Sequence, residues 1–140
     1  MLLVICLMSG ACFAADWQSV SRENGNGTSF FIDMDSVAED GPFARAWTME
    51  NRKKSKTVTL GNKRVNYQSY IALRVFDCRN RRSAIVQGTF YAMPYGRGDV
   101  LHSFTSSLTN DLFSAVTPSS MGEALMDAVC EKPPLKKIQT

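Results

Sequence analysis

Runs of aromatic and β-branched residues, broken by short turn-forming clusters, dominate the pattern of apolar and polar positions. TSFFID at 28–33, FARAWTME at 43–50, NYQSYIALRVFDC at 66–78 and SAIVQGTFYAM at 83–93 each read as strands. The separators are ENGNG, AEDGP, GNKR, CRNRR and PYGRG. No helical pattern long enough for a crossover lies between the runs, so their spacing predicts consecutive antiparallel hairpins. The 66–78 run is apolar on both faces. Tyr70, Ala72, Phe76 and Cys78 point one way, with Arg74 among them, while Ile71, Leu73 and Val75 point the other. A sheet with one wet face would alternate more cleanly, so both sides of this strand should be covered.

One cover is visible in TPSSMGEALMDAVCEKPP at 117–134, the segment with clear helical character. Ser120 and Glu123 fit a capping box, Met121, Ala124, Leu125, Ala128 and Val129 form an apolar stripe, and Pro133 and Pro134 stop the helix. The fold class is therefore α+β: a single antiparallel sheet of about five to six strands with a C-terminal helix packed on one face. The other face calls for a long loop or a partner chain, and the latter implies a homodimer. Cys130 falls nearly opposite the centre of the stripe, which predicts that the helix unwinds at Val129.

The first residues change the compartment. MLLVICLMSGACFAA carries no charged side chain and runs through an apolar stretch into small residues before Asp16. It is shorter than the ~20 apolar residues that a membrane span needs and reads as a signal peptide over 1–15, followed by a domain over 16–132 and a disordered tail over 133–140. Lipidation at Cys12 is the one route to a membrane anchor, but Ser9 stands where a lipoprotein signal usually has Leu. An unlipidated exported chain then keeps Cys78 and Cys130, most simply joined as one disulfide. Such a bond ties the helix end to the end of the 66–78 strand.

The formal charge is +3, too mild to imply nucleic acid, which export also disfavours. The distribution of charge says more. Residues 51–64 carry Arg52, Lys53, Lys54, Lys56, Lys63 and Arg64 with no acid, and they read as a long, mobile hairpin tip suited to polyanions or to a solubilising role. Arg79, Arg81 and Arg82 form a smaller cluster at the next turn. Arg97, Gly98 and Asp99 spell the tripeptide that integrins recognise, at a turn or loop made by Pro94, Gly96 and Gly98.

Catalytic chemistry is poorly supplied. The single histidine, His102, leaves no His pair for zinc, and its neighbour Ser103 sits in no nucleophile elbow. Asp33, Asp35, Glu39 and Asp40 cluster without the glycine and distal glutamate of an EF-hand loop. No nucleotide-binding glycine pattern is present. The expectation is a non-enzymatic protein with no catalytic residues, no cofactor and no metal site.

Taken in order, DW near the N-terminus, SFFIDMDSV, FARAWTMENRKK, YIALRVFDCRNRRSAIVQGTFY and VTPSSMGEALMDAVC resemble the surface-adhesin protein E family of Gram-negative bacteria, over residues 17–130. The resemblance implies an antiparallel sheet with a disulfide-tethered C-terminal helix. It also implies export to the periplasm or outer-membrane surface. The family's founding member is a surface lipoprotein that dimerises and binds host matrix components and serum regulators. Host matrix or serum proteins, or sulphated glycans, are the partners to expect; the alternative is an envelope module with a bacterial partner. No ligand-contact residue carries over from the family.

Overall fold

The structure, a computed structural model, describes residues 15–24, 27–131 and 136–137. Residues 1–14 of the expected leader, with Cys6 and Cys12, lie outside the described residues, as do 133–135 and 138–140 of the expected tail. The strands are β1 (Trp17–Asn24), β2 (Thr28–Asp33), β3 (Ala38–Asp40), β4 (Phe43–Leu60), β5 (Lys63–Asp77), β6 (Arg82–Met93), β7 (Arg97–Thr105), β8 (Ser114–Ala115) and β9 (Lys136–Lys137), with one helix, α1 (Met121–Cys130), between the last two. The order β1-β2-β4-β5-β6-β7 is antiparallel throughout, and three short pieces bring the sheet to nine strands. The expected five to six strands match that continuous path and miss the short pieces. Among these, β9 runs parallel to β3, so Lys136 and Lys137 are backbone-paired inside the segment expected to be a disordered tail.

The main core lies between the sheet and α1. Phe76, fully buried, stands opposite Ala44, and together with Ile32, Val37 and Ala46 it packs against Leu125, Met126 and Val129. The two alanines matter because a helix can approach a sheet closely only where the side chains beneath it are small. Ser120 caps α1 by accepting from the Glu123 amide at 3.2 Å. Glu123 returns the interaction to the Ser119 amide at 3.2 Å, one residue earlier than the standard box.

The expected unwinding at Val129 does not occur. The helix stays regular through Cys130 and is capped by the Glu131 amide on the Asp127 carbonyl, 3.0 Å. Instead the buried stripe is Leu125, Met126 and Val129, turned by roughly 80° from the expected one at 3.6 residues per turn. That rotation brings Cys130 to the flank of the buried face, where it bonds Cys78 with Cα atoms 5.8 Å apart. Ala124 and Ala128 border a cleft beside Gln18, Val20 and Met34, and Ala128 packs only against the margin of the core.

The long hairpin β4–β5 departs most from expectation. Residues 51–64 are not a mobile tip: the ladder continues to Leu60↔Lys63 and closes through a two-residue turn at Gly61 and Asn62. Gly61 takes φ +65°, which a β-carbon would oppose. Val58 and Leu60 on one strand and Val65 and Tyr67 on the other share a face with Phe90, Tyr70, Leu101 and Phe104, making a second core under the hairpin. Tyr70 stacks on Phe90 with ring centres 4.1 Å apart. One face of β5 is thus covered twice, by α1 at its Phe76 end and by its own hairpin at its Tyr70 end.

The second face of β5 also gains an intrachain cover. The turn Pro94–Gly96 lies over Ile71, held by the Tyr95 amide on Asn51 Oδ1 (2.9 Å) and the Gly96 amide on Ser69 Oγ (2.9 Å). Tyr95 meets the ring of Phe31 edge-on at 6.2 Å. Trp47 and Leu73 remain half-buried. This face therefore asks less of a second chain than the sequence implies.

Candidate binding surface

The cationic residues of 51–64 do not form one cluster. Arg52 is half-buried, and its Nη1 donates to Glu50 Oε1 at 2.7 Å, where the Tyr67 hydroxyl also donates at 3.0 Å. Burial, with Glu50 adding to it, pushes the Tyr67 phenol well above its ordinary range, so a neutral phenol donates to Glu50 beside Arg52 and the contact roots the hairpin. Lys53, Lys54 and Lys56 are exposed. They occupy a stretch where the β4–β5 register shifts, between the Asn51↔Ser69 and Lys56↔Tyr67 pairs. Such irregularity bends a strand and re-aims its side chains. Lys63 and Arg64 sit at the hairpin tip, roughly 13 Å further on at ~3.3 Å per residue. Lys63 Nζ reaches back to the Leu101 carbonyl at 2.7 Å and helps to hold the hairpin over β7.

In the smaller basic cluster Arg79 is exposed, while Arg81 and Arg82 make structural contacts. Arg82 donates through Nε to Asp77 Oδ2 at 2.8 Å and through Nη1 to Asn110 Oδ1 at 2.8 Å, with its guanidinium 4.5 Å from the centre of the Phe113 ring. Arg81 reaches Glu123 and Asp127 of α1 at 3.4 and 3.3 Å, an exposed pairing of modest worth. Asp77 is enclosed and also accepts from the Asn80 amide (3.1 Å) and Asn80 Nδ2 (2.9 Å). Bonds from Asn80 first, then from Arg82, hold its carboxyl below the ordinary carboxylate range against the opposing effect of burial.

That shift fixes a pH dependence. A carboxyl with a depressed folded-state pKa binds fewer protons folded than unfolded, so its contribution is present above the unfolded value and is lost as pH falls through the folded one. In urea titrations, Asp77→Asn should cost about 1–3 kcal/mol at neutral pH. The gap to wild type should close as the pH drops below about 4. A gap that stays constant across that range would rule out Asp77 ionisation as its source.

The remaining sequence candidates have local roles. Arg97, Gly98 and Asp99 are exposed and open the edge strand β7, instead of standing on a loop tip. Gly98 adopts φ +76°, and a β-carbon there would lie 2.8 Å from Met93 Cγ, so the glycine is required by the turn itself. His102 rests 6.4 Å from the rings of both Phe90 and Phe104, while the Ser103 hydroxyl pairs with Thr89 at 3.2 Å. Asp33 caps the turn at 34–36 by accepting from the Asp35 amide at 3.1 Å, and it also accepts from the Asp16 amide at 2.9 Å. Asp40 lies 3.9 Å from Arg45. Among the described residues no group of three or more His, Cys, Asp or Glu could hold a metal ion.

The chain is thus an antiparallel sheet carrying one disulfide-tethered helix, with exposed cations along a hairpin. The sequence model of the surface-adhesin protein E family matches residues 17–131, and the chain belongs to that family. Solved structures of Haemophilus influenzae protein E share the fold. The selenomethionine form is 17% identical with a TM-score of 0.53, over 73% of this chain and 78% of that one. Another structure is 19% identical with a TM-score of 0.52, over 78% and 80%. A search of curated protein sequences finds no match. Family membership supports an adhesin-like surface-binding role and implies export. No helix among the described residues is long and apolar enough to cross a membrane.

Proposed function

We propose that this protein is an exported, non-enzymatic, adhesin-like binding protein that contacts extracellular matrix or other host macromolecules, with Lys53, Lys54 and Lys56 at the centre of the contact. The observation that carries this reading is the exposure of these three amines at the irregular stretch of β4, in a hairpin segment with no acid between residues 51 and 64. Lys63 and Arg64 extend the surface toward the tip. Arg52 does not belong to it, because Glu50 neutralises it. An uncompensated cationic strip favours sulphated glycans and acidic patches on matrix or serum proteins, and added salt screens that attraction.

The purified domain should bind heparin, laminin or vitronectin with an affinity that falls as salt rises. Replacing Lys53, Lys54 and Lys56 together by Gln should weaken binding about tenfold, at ~0.5 kcal/mol for each exposed charge contact. No binding, or binding indifferent to both salt and the triple substitution, would remove this surface from the function.

A further inference from the structure

Arg74 is the anomaly of the sheet. It stands on the inward face of β5 between Tyr70 and Phe76, the two residues over which the hairpin and the helix pack. Its Nε is shielded from solvent and has no hydrogen-bond partner among the described residues. The ion pairs found among those residues go to Arg45, Arg52, Arg81 and Arg82, and none goes to Arg74. Glu50 attracts it from a distance, but one carboxylate oxygen of Glu50 already accepts from both Arg52 and Tyr67. Desolvation holds the Arg74 pKa below its ordinary value, while Tyr70 and Glu50 act in the opposite sense. Arginine nonetheless stays protonated in proteins. A half-buried guanidinium whose shielded Nε has no hydrogen-bond partner gains from an anion that reaches it.

The space for that anion is already formed. Arg74 lines a cleft of about 350 Å³ between the two cores, walled by Tyr70, Phe104, Ile85 and Leu112, with Ser83 and Ser106 among its polar groups. Its aromatic side is held in place by Gly88. A β-carbon at that position would meet both Tyr70 and Phe104 at 2.7 Å, so the glycine lets both rings lie across β6. We propose that this cleft binds a small organic carboxylate with an apolar body, the carboxylate on the Arg74 guanidinium and the body against the Tyr70 and Phe104 rings. The planar fork of arginine matches a carboxylate in two parallel hydrogen bonds, and the serine hydroxyls can donate to its outer lone pairs. The apolar walls favour a ligand with a hydrocarbon body over a bare inorganic anion or a sugar sulphate. This site is independent of the cationic hairpin and does not rest on the adhesin reading.

Nitrogen-15 NMR of the whole domain tests it, using hexanoate and benzoate as probes, hexanamide as the neutral control and inorganic sulphate as the bare anion. The carboxylates should saturate, moving the Arg74 Nε–H signal together with the backbone amides of Tyr70, Ile85 and Phe104. Hexanamide and sulphate should bind at least about tenfold more weakly, since hydrogen bonds to a charged group are worth ~1.5–3 kcal/mol. Arg74→Gln should lower carboxylate affinity by roughly 10-fold to 100-fold. Ser114→Trp, an exposed substitution at the rim of the cleft, should do the same by obstruction with Arg74 intact. Absence of saturable carboxylate binding to the wild type, equal binding of hexanamide or sulphate, or full binding by the folded Ser114→Trp variant would each overturn the proposal.

Discussion

Replacing Cys78 and Cys130 together by alanine is expected to lower the unfolding free energy by about 4 kcal/mol, the loop-closure value for a bond of this span. The two residues are separated by 52 positions, and without the bond the unfolded chain recovers the freedom of all that lies between them. The folded state loses something more local. Cys130 is the last residue of α1, and Cys78 follows directly on β5, so the bond fixes the end of the helix over Phe76. Beyond the bond, the ten-residue helix is held by its cap and its buried face, and a helix this short is marginal alone. Amide exchange in 121–130 should therefore accelerate before exchange in β4 and β5 in the double variant. A loss under about 1 kcal/mol would mean that burial of Leu125, Met126 and Val129 holds the helix by itself.

Phe76→Ala should cost about 3–5 kcal/mol, measured by urea unfolding with the disulfide intact. The ring has no exposed surface and fills the layer between the sheet and α1. Its neighbours cannot close the gap. Ala44 and Ala46 have nothing to extend into it, and Leu125, Met126 and Val129 are carried on a helix pinned by Cys130. The expected cost is thus toward the upper end, because relaxation is what lowers it elsewhere. A cost near 1 kcal/mol would show the helix settling onto the sheet despite the tether.

Much of this fold was legible from local pattern. TSFFID coincides with β2, and the 43–50, 66–78 and 83–93 runs all fall on strands because aromatic and β-branched residues there lie on buried faces. The capping serine and the cysteine pairing were readable for similarly local reasons. The β4–β5 extension was not, since four cations in five residues, Arg52 to Lys56, look like loop. The signal that could have found it is the alternation of Val58, Leu60, Val65 and Tyr67 about Gly61-Asn62, a hairpin sequence in its own right. Its apolar face has value only once the hairpin folds over β6 and β7, which no short window contains. β1 was missed because Trp17 and Val20 are its only large apolar residues. The same limit applies to the functional surface. Sequence identified the basic residues but could not tell that Arg52 is spent on Glu50, nor that Arg82 is spent on Asp77 and Asn110. Arg74 was visible as the odd member of an apolar face, and only the structure shows its Nε shielded without a hydrogen-bond partner.

On an adhesin-like protein the exposed amines of the hairpin face the outside of the cell. A membrane-impermeant amine-reactive biotin reagent, applied to intact Gram-negative cells making the full-length chain, addresses it directly, with Lys53, Lys54 and Lys56 as the exposed targets. Biotin is expected on the 51–64 segment while a periplasmic marker protein in the same cells stays unlabelled. Labelling of that segment only after the outer membrane is permeabilised would contradict it and make the protein an envelope module with a bacterial partner.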